Sequence, residues 1–508
     1  MTRALLLPLL LALAACKRTP PDPGPDLQIV GESHRVRLED PIPATSPLFD
    51  GTRVSLVGAR GETLGIQVLR RDTHAVALRI TDPAVRVQGY TVEAFRATRG
   101  STAMYGGTRG AGTYPDALTP TDAPASNPAY FEITLARDAA PGPRTGELVV
   151  GTRTIPVTLD VSPVTLPPLS PGVWAYGDPR ELAWVASPTG DPPRATPSAT
   201  ELACIDTFAR HGILLTPDVH LDWWPHRKHL LAGIRDVPVN ISKDPAVAAE
   251  QVKKWIAIFE GTGQVPFAIP IDEPRTPELQ QKVVALAKAV RAAGGGPGRF
   301  HYAVTDVPRP AYGDLIDLYI SMSAVHREGD RYPRWTYNGA HPYAGSMVLD
   351  AITPGTRTWG WIAWRWRIPT WYVWDALYWH DRHNRKGAPL PGRALDPRVD
   401  PTSFHDGEDH GNLDGVLALP IPGGCQPTLR LAQIRRGFQD KQLLELASRC
   451  DPDATAKLAA DLIPTALADA PGKGRPSSQK PSWPTTEPPW EAARRRLIEI
   501  ARCDRGPT

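Results

Sequence analysis

Between residues 27 and 168 apolar side chains recur at every second position. The stretch 62–70 alternates around Leu64, Ile66 and Val68, and shorter runs of the same kind fall at 75–80, 85–95, 130–135, 147–150 and 155–161. Such a period puts successive side chains on opposite faces of an extended chain, one toward a core and one toward water. Turn formers such as Pro141-Gly142-Pro143 separate the runs, as hairpin and loop connections require. Many short strands without intervening helical stretches predict a β-sandwich over 29–168. The proline-rich run Val164-Thr165-Leu166-Pro167-Pro168-Leu169-Ser170-Pro171 reads as its boundary.

Beyond that run the pattern switches between periods. Residues 173–176 and 213–216 read as strands, with a helix at 201–211 between them. In 246–260, Val252, Trp255, Ile256 and Phe259 fall at i, i+3, i+4 and i+7, one apolar stripe of a helix. The apolar run 267–271 is a buried strand that ends in Asp272-Glu273-Pro274. Thr276-Pro277 then supplies an N-cap and a first-turn proline for a helix with Leu279, Val283, Leu286 and Val290 on one face. Further strands are predicted at 300–304, 315–322, 335–337, 371–374 and 416–419, and a long helix at 428–448. Repeated strand-then-helix units over 170–448 predict a (β/α)8 TIM-like barrel. A doubly wound open sheet is the alternative, although its Gly-rich phosphate turn is missing. The expected fold class is therefore multidomain: an N-terminal β-sandwich, then a (β/α)8 TIM-like barrel, then a C-terminal extension over 449–508. That extension is Pro/Ser-rich over 471–489 and helical from Trp490 to Cys503.

The first residues carry a different signal. Arg3 precedes an apolar stretch at 4–13, too short for a permanent membrane span. Leu13-Ala14-Ala15-Cys16 resembles a bacterial lipobox, in which the cysteine thiol takes a diacylglycerol. This predicts a lipoprotein signal peptide at 1–15, lipidation of Cys16, a proline-rich tether at 16–28 and attachment to a bacterial envelope membrane. Lys17, where an aspartate resembles an inner-membrane retention signal, favours the outer membrane. An ordinary secretory signal or a membrane anchor is the alternative. Four cysteines remain, Cys204, Cys425, Cys450 and Cys503, without C-x-x-C spacing, which disfavours a zinc cluster. Of the three possible pairings, Cys450 with Cys503 is favoured because it staples the last helix to the body; free buried thiols are the alternative. With 57 basic against 54 acidic residues the net charge is +3, which gives no support for a nucleic-acid partner.

Candidate chemistry centres on Asp272 and Glu273. A barrel places its active site at the carboxyl ends of its strands, and this pair follows such a strand. Neighbours in a regular strand point to opposite faces, so both reach one ligand only if the chain leaves the pleat there. Two solvated acids at an exposed strand end are the bland alternative. Ordinary retaining glycosidases hold two carboxyls about 5–5.5 Å apart across the sugar. Consecutive acids suit another division of labour. Glu273 protonates the leaving oxygen, and Asp272 orients a substrate group that itself attacks, such as the 2-acetamido carbonyl of an N-acetylhexosamine. Eight of the 15 tryptophans lie between Trp335 and Trp379. Trp359, Trp361, Trp364 and Trp366 read as packing between a helix and the barrel. Trp374 and Trp379 are candidates to stack on a sugar, with Trp335 and the loop Asp222-Trp223-Trp224 as further binding candidates. Tyr337 and Asn338 are candidates to hydrogen-bond hydroxyls or the acetamido group. His380-Asp381-Arg382-His383 and His405-Asp406-Gly407-Glu408-Asp409-His410 lack a metal-binding helix register and read as solvated loops. No metal and no cofactor is called for, and no Gly-x-Ser-x-Gly elbow is present.

The sequence resembles glycoside hydrolase family 123, retaining β-N-acetylgalactosaminidases, over nearly all of the mature chain. In the N-terminal half the resemblance rests on Gly61-Glu62-Thr63, Thr113-Tyr114-Pro115-Asp116-Ala117-Leu118 and Ala139-Ala140-Pro141-Gly142-Pro143-Arg144-Thr145-Gly146. It continues through Ile271-Asp272-Glu273-Pro274, Tyr337-Asn338-Gly339, the run from Arg357 to Trp366, Trp371-Tyr372-Val373-Trp374, Asp414-Gly415-Val416-Leu417 and the run from Leu429 to Gly437. The resemblance implies that Asp272 steadies the acetamido group and an oxazolinium-like intermediate, and that Glu273 is the general acid/base. Departures at Leu419-Pro420 and at Gln439-Asp440-Lys441-Gln442-Leu443-Leu444 bear on sugar preference. The expected function is a cell-surface hydrolase that releases a terminal β-linked N-acetylhexosamine, with a glycan as partner and the membrane reached through the lipid anchor. The alternatives are a hydrolase of another glycan and a non-catalytic glycan-binding or envelope lipoprotein.

Overall fold

The computed structural model describes residues 25–126, 128–186, 195–327, 334–381, 393–471 and 480–503. The predicted leader, Cys16, most of the tether, Arg382 and His383 lie outside the described residues.

Nine strands open the chain: β1 (Leu27–Gly31), β2 (Val54–Arg60), β3 (Thr63–Arg70), β4 (Val76–Ile80), β5 (Val85–Ala97), β6 (Gly112–Thr121), β7 (Ala129–Leu135), β8 (Gly142–Val150) and β9 (Arg153–Thr165). They form a five-stranded sheet in the order β1-β3-β7-β5-β6 and a four-stranded sheet in the order β2-β9-β8-β4. Alternate residues of both sheets meet in one apolar core that includes Leu64, Ile66, Val68, Phe131, Ile133, Leu148, Val157 and Leu159. Strands β1, β2 and β6 are not predicted from the pattern. β6 holds Pro115 and Pro120; it lies at a sheet edge, where a missing N–H is tolerated.

Eight short parallel strands follow: β10 (Val173–Ala175), β11 (Ile213–Leu215), β12 (Asp236–Pro238), β13 (Val265–Ala268), β14 (His301–Val304), β15 (Leu318–Met322), β16 (Arg334–Tyr337) and β17 (Trp371–Val373). They make one curled, TIM-like sheet in the order β11-β10-β17-β16-β15-β14-β13-β12. Its two ends are tied by one parallel bridge between Val219 and Val239, made by Val219 N–H to Pro238 O at 3.1 Å and Asn240 N–H to Val219 O at 2.9 Å. Trp174, Phe267, Ala303, Leu318, Ile320 and Trp335 fill the interior.

Two expectations for the barrel are corrected. The predicted strand at 416–419 is not a barrel strand: Ala418–Ile421 pairs antiparallel with Gly424–Pro427 as a separate hairpin. The barrel strand absent from the prediction is β12, three residues that begin with a charge and end in proline. The helical ring is also incomplete. α1 (Pro179–Ala186) and α2 (Ala199–Ala209) separate β10 from β11, and α3 (Trp224–Arg227) precedes β12. α4 (Pro245–Phe259) and α5 (Pro277–Ala292) follow β12 and β13, and α6 (Thr358–Arg365) precedes β17. Among the described residues, β14 and β15 are joined through only a 3-10 turn, Pro310–Tyr312. Where helices form, their starts are written locally. The Asp244 side chain accepts from Ala246 and Val247 N–H at the head of α4, and that of Thr276 accepts from Leu279 N–H at the head of α5.

α7 (Leu429–Cys450) is buried over most of its length although it is polar. Its arginines reach carboxylates of the N-terminal sheets: Arg430 to Asp116 at 2.8 Å, Arg435 to Glu132 at 2.6 Å and Arg436 to Glu32 at 2.8 Å and Glu62 at 2.5 Å. α8 (Pro452–Leu462) and α9 (Pro488–Ile500) complete this side of the molecule. Arg494 of α9 meets Glu62 at 2.5 Å, and Trp490 sits edge-on to Trp361. Two disulfides are present, Cys204–Cys425 and Cys450–Cys503.

Candidate active site

β13 ends at Ala268, so Asp272 and Glu273 stand on the loop beyond it and not on its last pleat. Glu273 has φ of 40°, a left-handed conformation that non-glycine residues adopt at a cost and that recurs at functional sites. The strand rule that sends neighbours to opposite faces therefore does not apply here. Thr305, just past β14, holds both residues. Its hydroxyl donates to Asp272 Oδ1 at 2.8 Å and accepts from Glu273 N–H at 2.6 Å. Tyr337, the last residue of β16, donates its phenol to Glu273 Oε1 at 2.7 Å. Burial first, then the charges of Glu273 and of Asp272, hold that phenol well above the usual tyrosine range. Arg275, with a side chain 63% exposed, donates to Glu273 Oε2 at 2.5 Å.

Asn338 is the second left-handed residue of this mouth, at φ of 54°. Its N–H donates to Tyr372 O at 3.1 Å and its carbonyl accepts from Trp371 Nε1 at 3.0 Å, while its Oδ1 is shut off from solvent without a hydrogen-bond partner among the described residues. Tyr372 of β17 and Tyr176, which follows β10, add two more phenols. Burial raises both above their ordinary range, helped in each case by the charge of Asp218. Asp218 lies beyond β11, and burial followed by the charge of Asp272 pushes its carboxyl up to about 7. The Tyr372 ring rests on Trp174 of the barrel interior, 4.5 Å between centroids.

The structure thus brings together Asp272, Glu273, Tyr337 and Asn338 of the residues singled out from the sequence. Trp335 lies deeper. It is 3% exposed and edge-on to Phe267, so its reading as a sugar contact is corrected to barrel packing. Trp379 is corrected likewise: it is buried, with Nε1 donating to Ala418 O at 2.9 Å, and no open ring face remains to stack on a sugar. Trp374 is half-buried against Tyr378 and Phe404. Asp222 is exposed and Trp223 half-buried, the indole beside His220 and 5.2 Å from the Arg227 guanidinium carbon. Trp359 and Trp361 are fully buried on α6. In the histidine segments, His380 Nδ1 meets Glu181 at 2.6 Å and His405 meets Asp381. Among the described residues no group of three His, Cys, Asp or Glu could hold a metal ion. Sequence reasoning missed Asp218, Thr305, Tyr176 and Tyr372. Tyr372 lies inside a predicted strand and Thr305 one residue past another, but nothing local marks Asp218, which reads as part of a Thr-Pro-Asp turn.

A curled parallel barrel sheet with acids and phenols beyond the carboxyl ends of its strands defines the class: a multidomain chain with a TIM-like barrel whose candidate site lies on the face that such barrels use for chemistry. Among solved structures the chain is similar to a family 123 glycoside hydrolase from Clostridium perfringens studied for glycolipid glycan hydrolysis. The TM-score is 0.60 and the identity 11%, over 94% of this chain and 99% of that one. At that identity the likeness is one of fold. A Ruminococcus gnavus β-glucuronidase, at TM-score 0.24 and 10% identity over 74% of this chain and 64% of that one, carries no argument. No family model and no curated protein matches the sequence.

Proposed function

We propose that the chain is a glycoside hydrolase that releases a terminal β-linked N-acetylhexosamine, N-acetylgalactosamine first, with retention through the substrate's own acetamido group. The observation that supports this most is the common hold on two consecutive acids: Thr305 bonds to both, and the Tyr337 phenol feels the charge of both. In the first step the acetamido oxygen attacks C1 while the bond from C1 to the leaving oxygen breaks. Glu273 gives that oxygen its proton, and Asp272 accepts the acetamido N–H and steadies the positive charge of the oxazolinium ring. In the second step Glu273 takes a proton from water as the water attacks C1, and the acetamido group is released. Tyr337 keeps Glu273 in place through both steps. The sequence motifs and the likeness in fold to a family 123 enzyme add support.

In the same reading Cys16 carries the lipid that ties the protein to the outer membrane, and the two N-terminal sheets act as a β-sandwich that braces the barrel. The second reading is a glycan-binding lipoprotein without turnover, which the Arg275 ion pair on Glu273 favours. Hydrolysis of an aryl β-N-acetylgalactosaminide by wild type, Asp272→Ala and Glu273→Gln separates the two. The enzyme turns over and loses at least a hundredfold in each variant; the binding protein holds the sugar without turnover in all three. Cleavage of plain hexosides by a wild type that leaves every 2-acetamido sugar intact overturns the acetamido mechanism.

A further inference from the structure

Asp218 sits on the turn Thr216-Pro217-Asp218 just past β11. The turn is pinned to both neighbouring strands, through Thr216 N–H to Ala175 O at 3.2 Å and Val219 N–H to Pro238 O at 3.1 Å. The residue as a whole is partly covered, but its Oδ1 is closed to solvent and has no hydrogen-bond partner among the described residues. A carboxyl oxygen withdrawn from water without a donor is costly to keep. Its surroundings do not relieve it. The charge that reaches it is that of Asp272, and the phenols that feel it are Tyr176 and Tyr372. Three strands away in the sheet order, Asn338 Oδ1 is likewise closed off and unpartnered among the described residues. Two partly covered side chains, each with one acceptor that lacks a donor among the described residues, in a mouth of acids and phenols, match a ligand that brings several O–H and N–H donors of its own. A pyranose with an acetamido group does.

We propose that, on the glycosidase reading above, Asp218 is a substrate-binding residue whose carboxyl, only partly covered, accepts a hydrogen bond from a ring hydroxyl of the sugar that presents its acetamido group to Asp272. The groups that bear on its titration are Asp272 from the loop after β13, Tyr176 after β10 with Asp178 and Asp375 near the same phenol, Tyr372 of β17, and His220 on its own loop, itself lowered by burial. A bound sugar shuts water out of a carboxyl flanked by another carboxylate, so the neutral acid is the form that binds. With Asp218 pushed up to about 7, KM rises as the pH climbs past that value.

The test is kinetics of the full chain on an aryl β-N-acetylgalactosaminide from about pH 5 to about pH 9, with calorimetric binding of free N-acetylgalactosamine and a thermal melt. Asp218→Ala is expected to raise KM about ten- to hundredfold with a much smaller change in kcat. Asp218→Asn, neutral at every pH, is expected to bind better than the alanine variant and to lose the rise of KM above neutrality. An alanine variant with wild-type KM and pH profile overturns the inference. If the alanine variant fails to fold, the asparagine variant decides, since persistence of the rise in it overturns the inference equally. If wild type cleaves no 2-acetamido sugar, the glycosidase reading fails on its own; calorimetry then judges Asp218, which is upheld if alanine abolishes sugar binding and refuted if binding is unchanged.

Discussion

Thr305 contacts the side chain of one acid and the backbone of the other, so its hydroxyl fixes their relative placement. Thr305→Val keeps the shape, removes the donor to Asp272 Oδ1 and leaves Glu273 N–H without its acceptor. A hydrogen bond to a charged group contributes about 1.5–3 kcal/mol. The valine variant is therefore expected to lose about ten- to hundredfold in kcat on a β-N-acetylgalactosaminide, with its melting temperature close to wild type. A second residue-scale prediction concerns pH and lies far from the barrel mouth. Burial first, then Glu491, pushes Glu487 up to about 8, while Arg357 and Arg494 overcome burial and hold Glu491 down at about 2. Glu487 therefore contributes stability that is complete below its unfolded value of 4.5 and is lost as the pH rises through about 8. Glu491 contributes stability that is present above 4.5 and is lost as the pH falls through about 2. Glu487→Gln is expected to flatten the decline in melting temperature between about pH 4.5 and about pH 8 and to leave the decline at lower pH in place. At this scale the sequence was informative where a residue stood next to a predicted strand end, as Asp272, Glu273, Tyr337 and Asn338 do. Asp218 was not legible, because its role depends on a charge that the barrel brings in from another strand.

The arginines of α7 show the same dependence on tertiary structure among elements. α7 is polar, yet it is buried because carboxylates from β1, β3, β6, β7 and their loops meet its guanidinium groups. Glu62, with no exposed side-chain surface, is shared by Arg436 and Arg494. Removing one partner of a buried ion pair costs about 3–5 kcal/mol, because charge is left inside without compensation. Glu62→Ala is expected to lower the unfolding free energy by that amount in denaturant titration, with β-strand content kept in the circular dichroism of the folded state. Elements with a clear period were legible: β3 and β7 from alternation, α4 from its apolar stripe and α5 from its apolar stripe and cap. β6 was hidden by its prolines, and β12 by being only three residues long. Val416 and Leu417 were misread because burial in a hairpin's approach and burial in a barrel strand produce the same apolar run.

On the scale of the whole molecule, the disulfides tie distant parts of the chain together. Cys204–Cys425 spans 221 residues and joins α2 to the hairpin that precedes α7, and Cys450–Cys503 spans 53 and closes the C-terminal segment onto the end of α7. Cross-links of this kind restrict the unfolded chain and contribute about 2–4 kcal/mol each. Replacing Cys450 and Cys503 by serine is expected to lower stability by about that much and to make the last helix the first site of proteolytic nicking. The barrel has a weak point of another kind. Around most of the ring neighbouring strands are paired over two or more residues, but among the described residues the chain beyond β11 and the chain beyond β12 meet only through Val219 and Val239. That seam lies one residue from Asp218 and beside the loop that carries Trp223. Local opening begins where the fewest backbone bonds must break, so the amides of Val219 and Asn240 are expected to exchange with deuterium ahead of those in β15 and β16, and to slow when a sugar occupies the mouth. The barrel would then breathe on the side from which Asp218 reaches the sugar, and a ligand would act there as a clasp.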